Sequence, residues 1–144
     1  MTVAHILREK GGDVVTIGPE ASVGEAVRLL AEHGIGAVLV CGGDGGIVGV
    51  LSERDIVRAL VDAEVPLLER PVSDLMTRDV VTVRPGDGIA SVMAVMTGHR
   101  IRHLPVLDER GTLIGLISIG DVVKQRIAEA EREAEALKDY IRMA

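Results

Sequence analysis

Gly49-Val50-Leu51-Ser52-Glu53-Arg54-Asp55 is answered 66 residues later by Gly115-Leu116-Ile117-Ser118-Ile119-Gly120-Asp121. The same offset runs without a gap back to Asp13-Val14-Val15-Thr16 against Asp79-Val80-Val81-Thr82. Between 13–60 and 79–126, 13 of 48 positions are identical in that one register, and many mismatches are apolar swaps such as Ile47/Leu113, so the chain is read as an internal duplication. Two copies imply a closed pair; a solenoid would need about three or more repeats. Paired halves also leave clefts in which small ligands bind.

Each copy reads as strand, helix, strand, strand, helix. In the first, Val14 to Ile17 is a β-branched run stopped by Gly18-Pro19, and Ser22-Val23-Gly24-Glu25 has the Ser-x-x-Glu form of a helix capping box. Ala26, Leu29 and Leu30 follow at helical spacing, and His33-Gly34 ends the helix. Ile35 to Val40 is too continuously apolar to be half-exposed; Gly42 to Gly46 is a turn, Ile47 to Leu51 the returning hairpin strand, and a helix from Ser52 runs to about Val65. The second copy follows with a strand over Val80 to Val83, a helix over Gly88 to Thr97, and a hairpin of His103 to Leu107 with Leu113 to Ile117. A final helix is expected from Ile119 to about Met143. On it Ile127, Ala130, Ala134, Leu137 and Ile141 form a narrow stripe, which either packs on its own domain or faces a partner. Two heptads are too few to identify a coiled coil.

These elements imply an α+β protein of two pseudo-symmetric repeats packed through their sheets. The divisions are 1–65 for the first repeat with its lead-in, 66–78 for a connecting segment, 79–126 for the second repeat and 127–144 for a helical extension. Leu75-Met76 echoes Ile6-Leu7 in the two lead-ins.

Composition narrows the function. With one aromatic residue, Tyr140, and a net charge of −6, the chain lacks the stacking platforms and basic grooves of nucleic-acid binders. The longest apolar run, Ala37 to Cys41, is far short of the roughly 20 residues of a membrane span. No signal-like core opens the chain, and a single cysteine gives no intrachain disulfide, so cytoplasm is the expected compartment. His5, His33, His99 and His103 have no metal-like spacing, and no nucleophile stands with a base, so neither a metal site nor an enzyme is expected. Cys41 beside a glycine turn is read as an inert strand-end thiol rather than a redox site.

The Gly-x-x-Ser-x-x-Asp motif has two physical readings. It is a helix cap whose carboxylate suits the helix dipole. It is also a place where helix-start N–H groups can hold phosphate, or where the carboxylate can accept hydrogen bonds from ribose hydroxyls.

With that motif, the β-α-β-β-α repeat and Arg102-His103-Leu104-Pro105-Val106, the chain resembles a tandem pair of cystathionine-β-synthase (CBS) domains, a Bateman module, over about residues 3 to 126. The resemblance implies a stand-alone regulatory module with no catalytic cofactor. Its regulatory ligand would be an adenine nucleotide (AMP, ADP or ATP) or S-adenosylmethionine, bound in clefts between repeats, and it would act through a protein target not yet identified. It further implies a homodimer formed through helices. Carried over residue by residue, Asp55 and Asp121 would hold ribose beside Ser52 and Ser118, Val15 and Val81 would flank adenine, and Arg102 or His103 would meet phosphate. The resemblance pairs Asp55 and Arg54 with Arg102, His103 and Val81, and Asp121 and Ser118 with Val15 and Gly36. Because Arg102 and His103 align with uncharged Gly36 and Ala37, the two sites are expected to be unequal.

Overall fold

The computed structural model describes residues 1–62 and 66–144; the expected end of the first repeat's last helix, at Val65, lies outside the described residues. The element order is α1 (Val3–Lys10), β1 (Thr16–Ile17), α2 (Val23–His33), β2 (Ala37–Cys41), β3 (Ile47–Ser52), α3 (Glu53–Val61), α4 (Ile89–His99), β4 (His103–Leu107), β5 (Leu113–Ser118) and α5 (Ile119–Met143). Two single 3-10 turns, Leu67–Glu69 and Val72–Asp74, precede α4. The class is α+β, as the sequence implied.

The chain forms two compact units, Val14–Val81 and Met1–Asp13 with Thr82–Ala144. Residues 1–13 thus cluster with 82–144, and residues 66–78, expected as a connector, fall within the Val14–Val81 unit. Hydrogen bonding gives the reason. Val3 and Ala4 donate their N–H groups to the carbonyls of Asp87 and Pro85, both at 2.9 Å. In the other unit Val72 donates to Ala21 at 2.8 Å, and Thr77 exchanges bonds of 2.8 and 3.0 Å with Val50.

The motif glycines make room for these lead-ins. A Cβ on Gly49 would lie 2.6 Å from Met76 Sδ and 3.0 Å from the Thr77 carbonyl, and a Cβ on Gly115 would strike Leu7. Leu7 and Met76 thus occupy equivalent places, as the echo of Ile6-Leu7 in Leu75-Met76 suggested. A strand glycine often marks such a close approach.

In the Val14–Val81 unit, β1 pairs parallel with β2, and β2 antiparallel with β3. Ile17, Ala26, Leu30, Val38, Val40, Leu51, Val72 and Met76 form its core. Ala37 to Val40 are buried in succession, which fits their continuous apolar run. Ser22 caps α2 by accepting the Glu25 N–H at 3.1 Å.

In the other unit β4 and β5 form the antiparallel hairpin, with a register shift at Val106/Leu107 matching that at Val40/Cys41. Val3, Ile6, Ile89, Val92, Met96, Leu104, Ile117 and Val122 are among its buried residues. Each buried side chain of this kind contributes about 1.5–3 kcal/mol relative to exposure.

The first strand of each repeat is shorter than its β-branched run suggested. In the second repeat, Val80 to Val83 contributes only one parallel bridge, Val83 to Val106. Proline chemistry accounts for the difference. Leu39 donates its N–H to the Val15 carbonyl at 3.2 Å, and the aligned residue of β4 is Pro105, which has no N–H to give.

α2 and α4 end alike on His33 and His99, and each is followed by a left-handed residue. In the first repeat this is Gly34 (φ 60°), but in the second it is Arg100 (φ 55°). A non-glycine residue there carries a steric cost of about 1–2 kcal/mol, offset in part by glycine's greater freedom in the unfolded chain. Arg100→Gly is expected to raise stability by about 0.5–1 kcal/mol, and Gly34→Arg to lower it similarly. Urea unfolding midpoints check both; equal midpoints would show that neither cap is strained.

Candidate functional site

Two strand-to-helix corners carry the chemistry. Ser52 is the last residue of β3 and the N-cap of α3; Ser118 stands likewise between β5 and α5, with identical backbone angles of φ −108° and ψ 164°. Ser52 Oγ accepts the Asp55 N–H at 3.3 Å while Asp55 Oδ2 accepts the Ser52 N–H at 2.9 Å and lies 3.0 Å from Ser52 Oγ. The second corner repeats the exchange, at 3.2 Å from the Asp121 N–H to Ser118 Oγ and 2.8 Å from the Ser118 N–H to Asp121 Oδ2. The capping reading is therefore correct for both motifs, and a functional role would be added to it.

Each corner is tied to the start of the neighbouring strand. Glu53 donates its N–H to the Gly36 carbonyl at 2.9 Å, and Ile119 to the Arg102 carbonyl at 2.8 Å. The structure thus gathers Gly36, Ser52, Arg54 and Asp55 at one corner, with half-buried Val15 bonded to Leu39, three residues beyond Gly36. It gathers Arg102, His103, Ser118 and Asp121 at the other, where His103 pairs with Ser118 across the hairpin. Val81 lies half-buried at the end of its unit. Arg54, Arg58 and Arg102 are exposed.

The carboxylates differ in their remaining partners. Asp55 Oδ1 takes a long contact of 3.4 Å from Thr77 Oγ1, beyond the usual O–H···O range, and so keeps capacity for a ligand hydroxyl. Asp121 instead receives Lys10 Nζ at 2.7 Å on Oδ2, and the same ammonium donates to the Leu116 carbonyl at 2.8 Å. Burial by itself would raise the Asp121 pKa, but hydrogen bonds from Lys10 and Ser118 and the Lys10 charge hold it below the ordinary carboxylate value.

Lys10 and Thr77 escaped the sequence reading because both lie in the lead-ins, outside the stretch aligned at 66. Among the described residues a lysine reaches the Asp121 carboxylate, and Asp55 has Thr77 instead.

Chemically, each corner offers an acceptor-only carboxylate, a hydroxyl and a helix start, a set suited to binding a diol or an anion. Among the described residues no group of three or more His, Cys, Asp or Glu could hold a metal ion. Nor, among the described residues, is any helix long and apolar enough to cross a membrane. Burial, and then Asp44, push the Cys41 thiol up, away from the reactive thiolate.

The lowered Asp121 pKa fixes a sign. Its contribution to stability is full above the unfolded value of about 3.8 and is lost as pH falls through the folded value. Lys10→Met should therefore destabilise the protein at pH 7, with a smaller difference from wild type at pH 3, below the unfolded value. Urea unfolding at the two pH values checks this; a gap unchanged with pH would mean that the ion pair contributes nothing.

Comparison with known proteins agrees with this geometry. The CBS domain family matches the chain twice, over residues 3–62 and 72–127. The mitochondrial CBS domain-containing protein CBSX3 of Arabidopsis thaliana is 32% identical over 148 residues, covering 97% of this chain and 71% of that protein. The crystal structure of the CBS-domain containing protein ATU1752 from Agrobacterium tumefaciens is 46% identical with a TM-score of 0.83, covering 87% of this chain and 92% of that one. The CBS domain protein PAE2072 from Pyrobaculum aerophilum, complexed with AMP, is 28% identical with a TM-score of 0.74, covering 84% and 89%. Two family matches in order, on two repeats that each turn a corner on Ser-x-x-Asp, establish that the chain belongs to the CBS-domain family as a tandem CBS pair.

Proposed function

We propose that this chain is a regulatory module that binds an adenosine-containing ligand and passes its occupancy to a protein target, with no catalytic step of its own. The observation that carries the reading is Asp55. Its Oδ2 is consumed by the Ser52 cap, while Oδ1 takes only the 3.4 Å Thr77 contact among the described residues. A carboxylate held so is set to accept ribose hydroxyls. The AMP complex of the Pyrobaculum aerophilum relative supports the ligand class. AMP, ADP, ATP and S-adenosylmethionine share the ribose that this carboxylate would grip. Val15 and Val81, both half-buried, are proposed to flank adenine, a role aliphatic walls must take in a chain with one aromatic residue. Ser52, Arg54, Gly36, Ser118 and Asp121 complete the proposed set, with Arg102 and His103 as the phosphate partners.

A homodimer is part of the proposal. Val57 and Val61 on α3 are 61% and 82% exposed, and the aligned Val123 and Ile127 on α5 are also exposed, so both repeats present the same apolar helix face. The second reading, a docking module without nucleotide dependence, draws on Leu137, Tyr140 and Ile141, which are exposed near the end of α5.

Calorimetry and thermal shift with AMP, ADP, ATP, S-adenosylmethionine and adenosine separate the two. A ligand at about 100 times its Kd adds roughly 2.7 kcal/mol of stability, and a docking module gains none. Asp55→Ala should weaken binding about tenfold or more, since a hydrogen bond to a charged group is worth about 1.5–3 kcal/mol. Unchanged affinity with a lower melting temperature would leave Asp55 as a cap alone. Arg102→Ala should narrow the gap between AMP and adenosine affinity and flatten its salt dependence, because Arg grips phosphate with two donors at once. An Arg102→Ala variant that still prefers AMP as wild type does would remove Arg102 from the site.

A further inference from the structure

The C-terminal half of α5 leaves its own unit. From Glu131 to Ala144 every residue is exposed, so the apolar stripe does not pack on its own domain. The face of α5 that is covered lies elsewhere: Val122 and Gln125 are buried, and Gln125 Nε2 donates to Glu9 Oε2 of α1 at 2.7 Å. Relative to those positions, the stripe is on the opposite side of the helix. It begins one turn earlier than the sequence suggested, at Val123, and continues through Ile127, Ala130, Ala134, Leu137 and Ile141 at strict 4-3 spacing. Val123, Ile127, Leu137 and Ile141 are 41%, 55%, 63% and 69% exposed.

This is the spacing of an a/d seam, with Ile127, Ala134 and Ile141 at a and Val123, Ala130 and Leu137 at d. Ile127 and Ile141 at a with Leu137 at d fit, among parallel assemblies, two strands rather than three or four. The flanking charges decide the occupant. In a parallel, in-register pair of this same helix, Arg126 meets the partner's Glu131, and Glu133 meets the partner's Lys138, so both g-to-e contacts join opposite charges. An antiparallel pair centred on the two alanines instead sets Glu131 against the partner's Glu131, Glu133 against the partner's Glu133, and Lys124 against the partner's Lys138. All three are like-charge contacts, which such positions use to exclude the wrong orientation.

We infer that the free half of α5 pairs with α5 of a second copy as a short parallel coiled coil, so that the two chains are joined in register at their C-terminal helices. This goes beyond the proposed dimer through the α3 and α5 faces and does not depend on nucleotide binding.

The test uses the whole chain in a Cys41→Ser background, without nucleotide. Leu137→Cys places a thiol at a d position, where parallel pairing brings the two copies within disulfide range; Asp139→Cys places one on the outer face. Under mild oxidation, Leu137→Cys should form a covalent dimer at least tenfold faster than Asp139→Cys. Glu131→Lys with Glu133→Lys in the Leu137→Cys chain should slow the reaction back to the Asp139→Cys rate, and adding Arg126→Glu with Lys138→Glu should restore it. Equal rates at 137 and 139 would overturn the proposal, whether the seam lies free in solvent or awaits a different protein. So would crosslinking that appears only when Leu137→Cys is mixed with Ile127→Cys, which marks antiparallel pairing. A dimer by light scattering without the 137 crosslink would retain the helix-face dimer and reject the coil.

Discussion

The reciprocal exchange between a serine at the end of a strand and an aspartate three residues later governs what each repeat can do. It satisfies two N–H groups that a helix start would otherwise leave without partners, at about 1 kcal/mol for the serine cap alone. It also fixes where the helix begins, because the next N–H is given to the neighbouring strand, from Glu53 to Gly36 and from Ile119 to Arg102. A carboxylate used as a cap through one oxygen holds the other at a known place. The same bond thus serves folding and, on the reading proposed here, recognition.

Duplication made two such corners, and divergence outside the motif made them different. Lys10 reaches Asp121 from α1, whereas Asp55 meets the weaker donor Thr77. Gly36 underlies one helix start and Arg102 the other. At Asp121 the ammonium shares Oδ2 with the cap, whereas at Asp55 the hydroxyl contact falls on Oδ1, so the two carboxylates differ in their surroundings as well as in the residue under each helix start.

How much was legible in the sequence follows the range of the forces involved. Capping boxes are local, so Ser52-x-x-Asp55 and Ser118-x-x-Asp121 read correctly, as did α5 from Ile119 to Met143. Strand length depends on a partner's donors, and the run Val80 to Val83 reads as a strand until Pro105 is seen to lack the N–H that Leu39 supplies. Unit boundaries depend on contacts distant in sequence. Nothing near Leu7 says that it will lie against Gly115. The α5 stripe was visible from its spacing, but which face of that helix is covered emerges only from the burial of Val122 and Gln125.

If the two capped corners are where an adenosine ligand is felt, amide chemical-shift mapping will register it residue by residue. Titration of the isotopically labelled chain with AMP should move the amide signals of Ser52 to Ile56 and Ser118 to Val122 most, with the Asp55 corner responding at the lower ligand concentration. Signals that stay fixed at both corners up to millimolar AMP, or shifts confined to residues remote from them, would contradict the account.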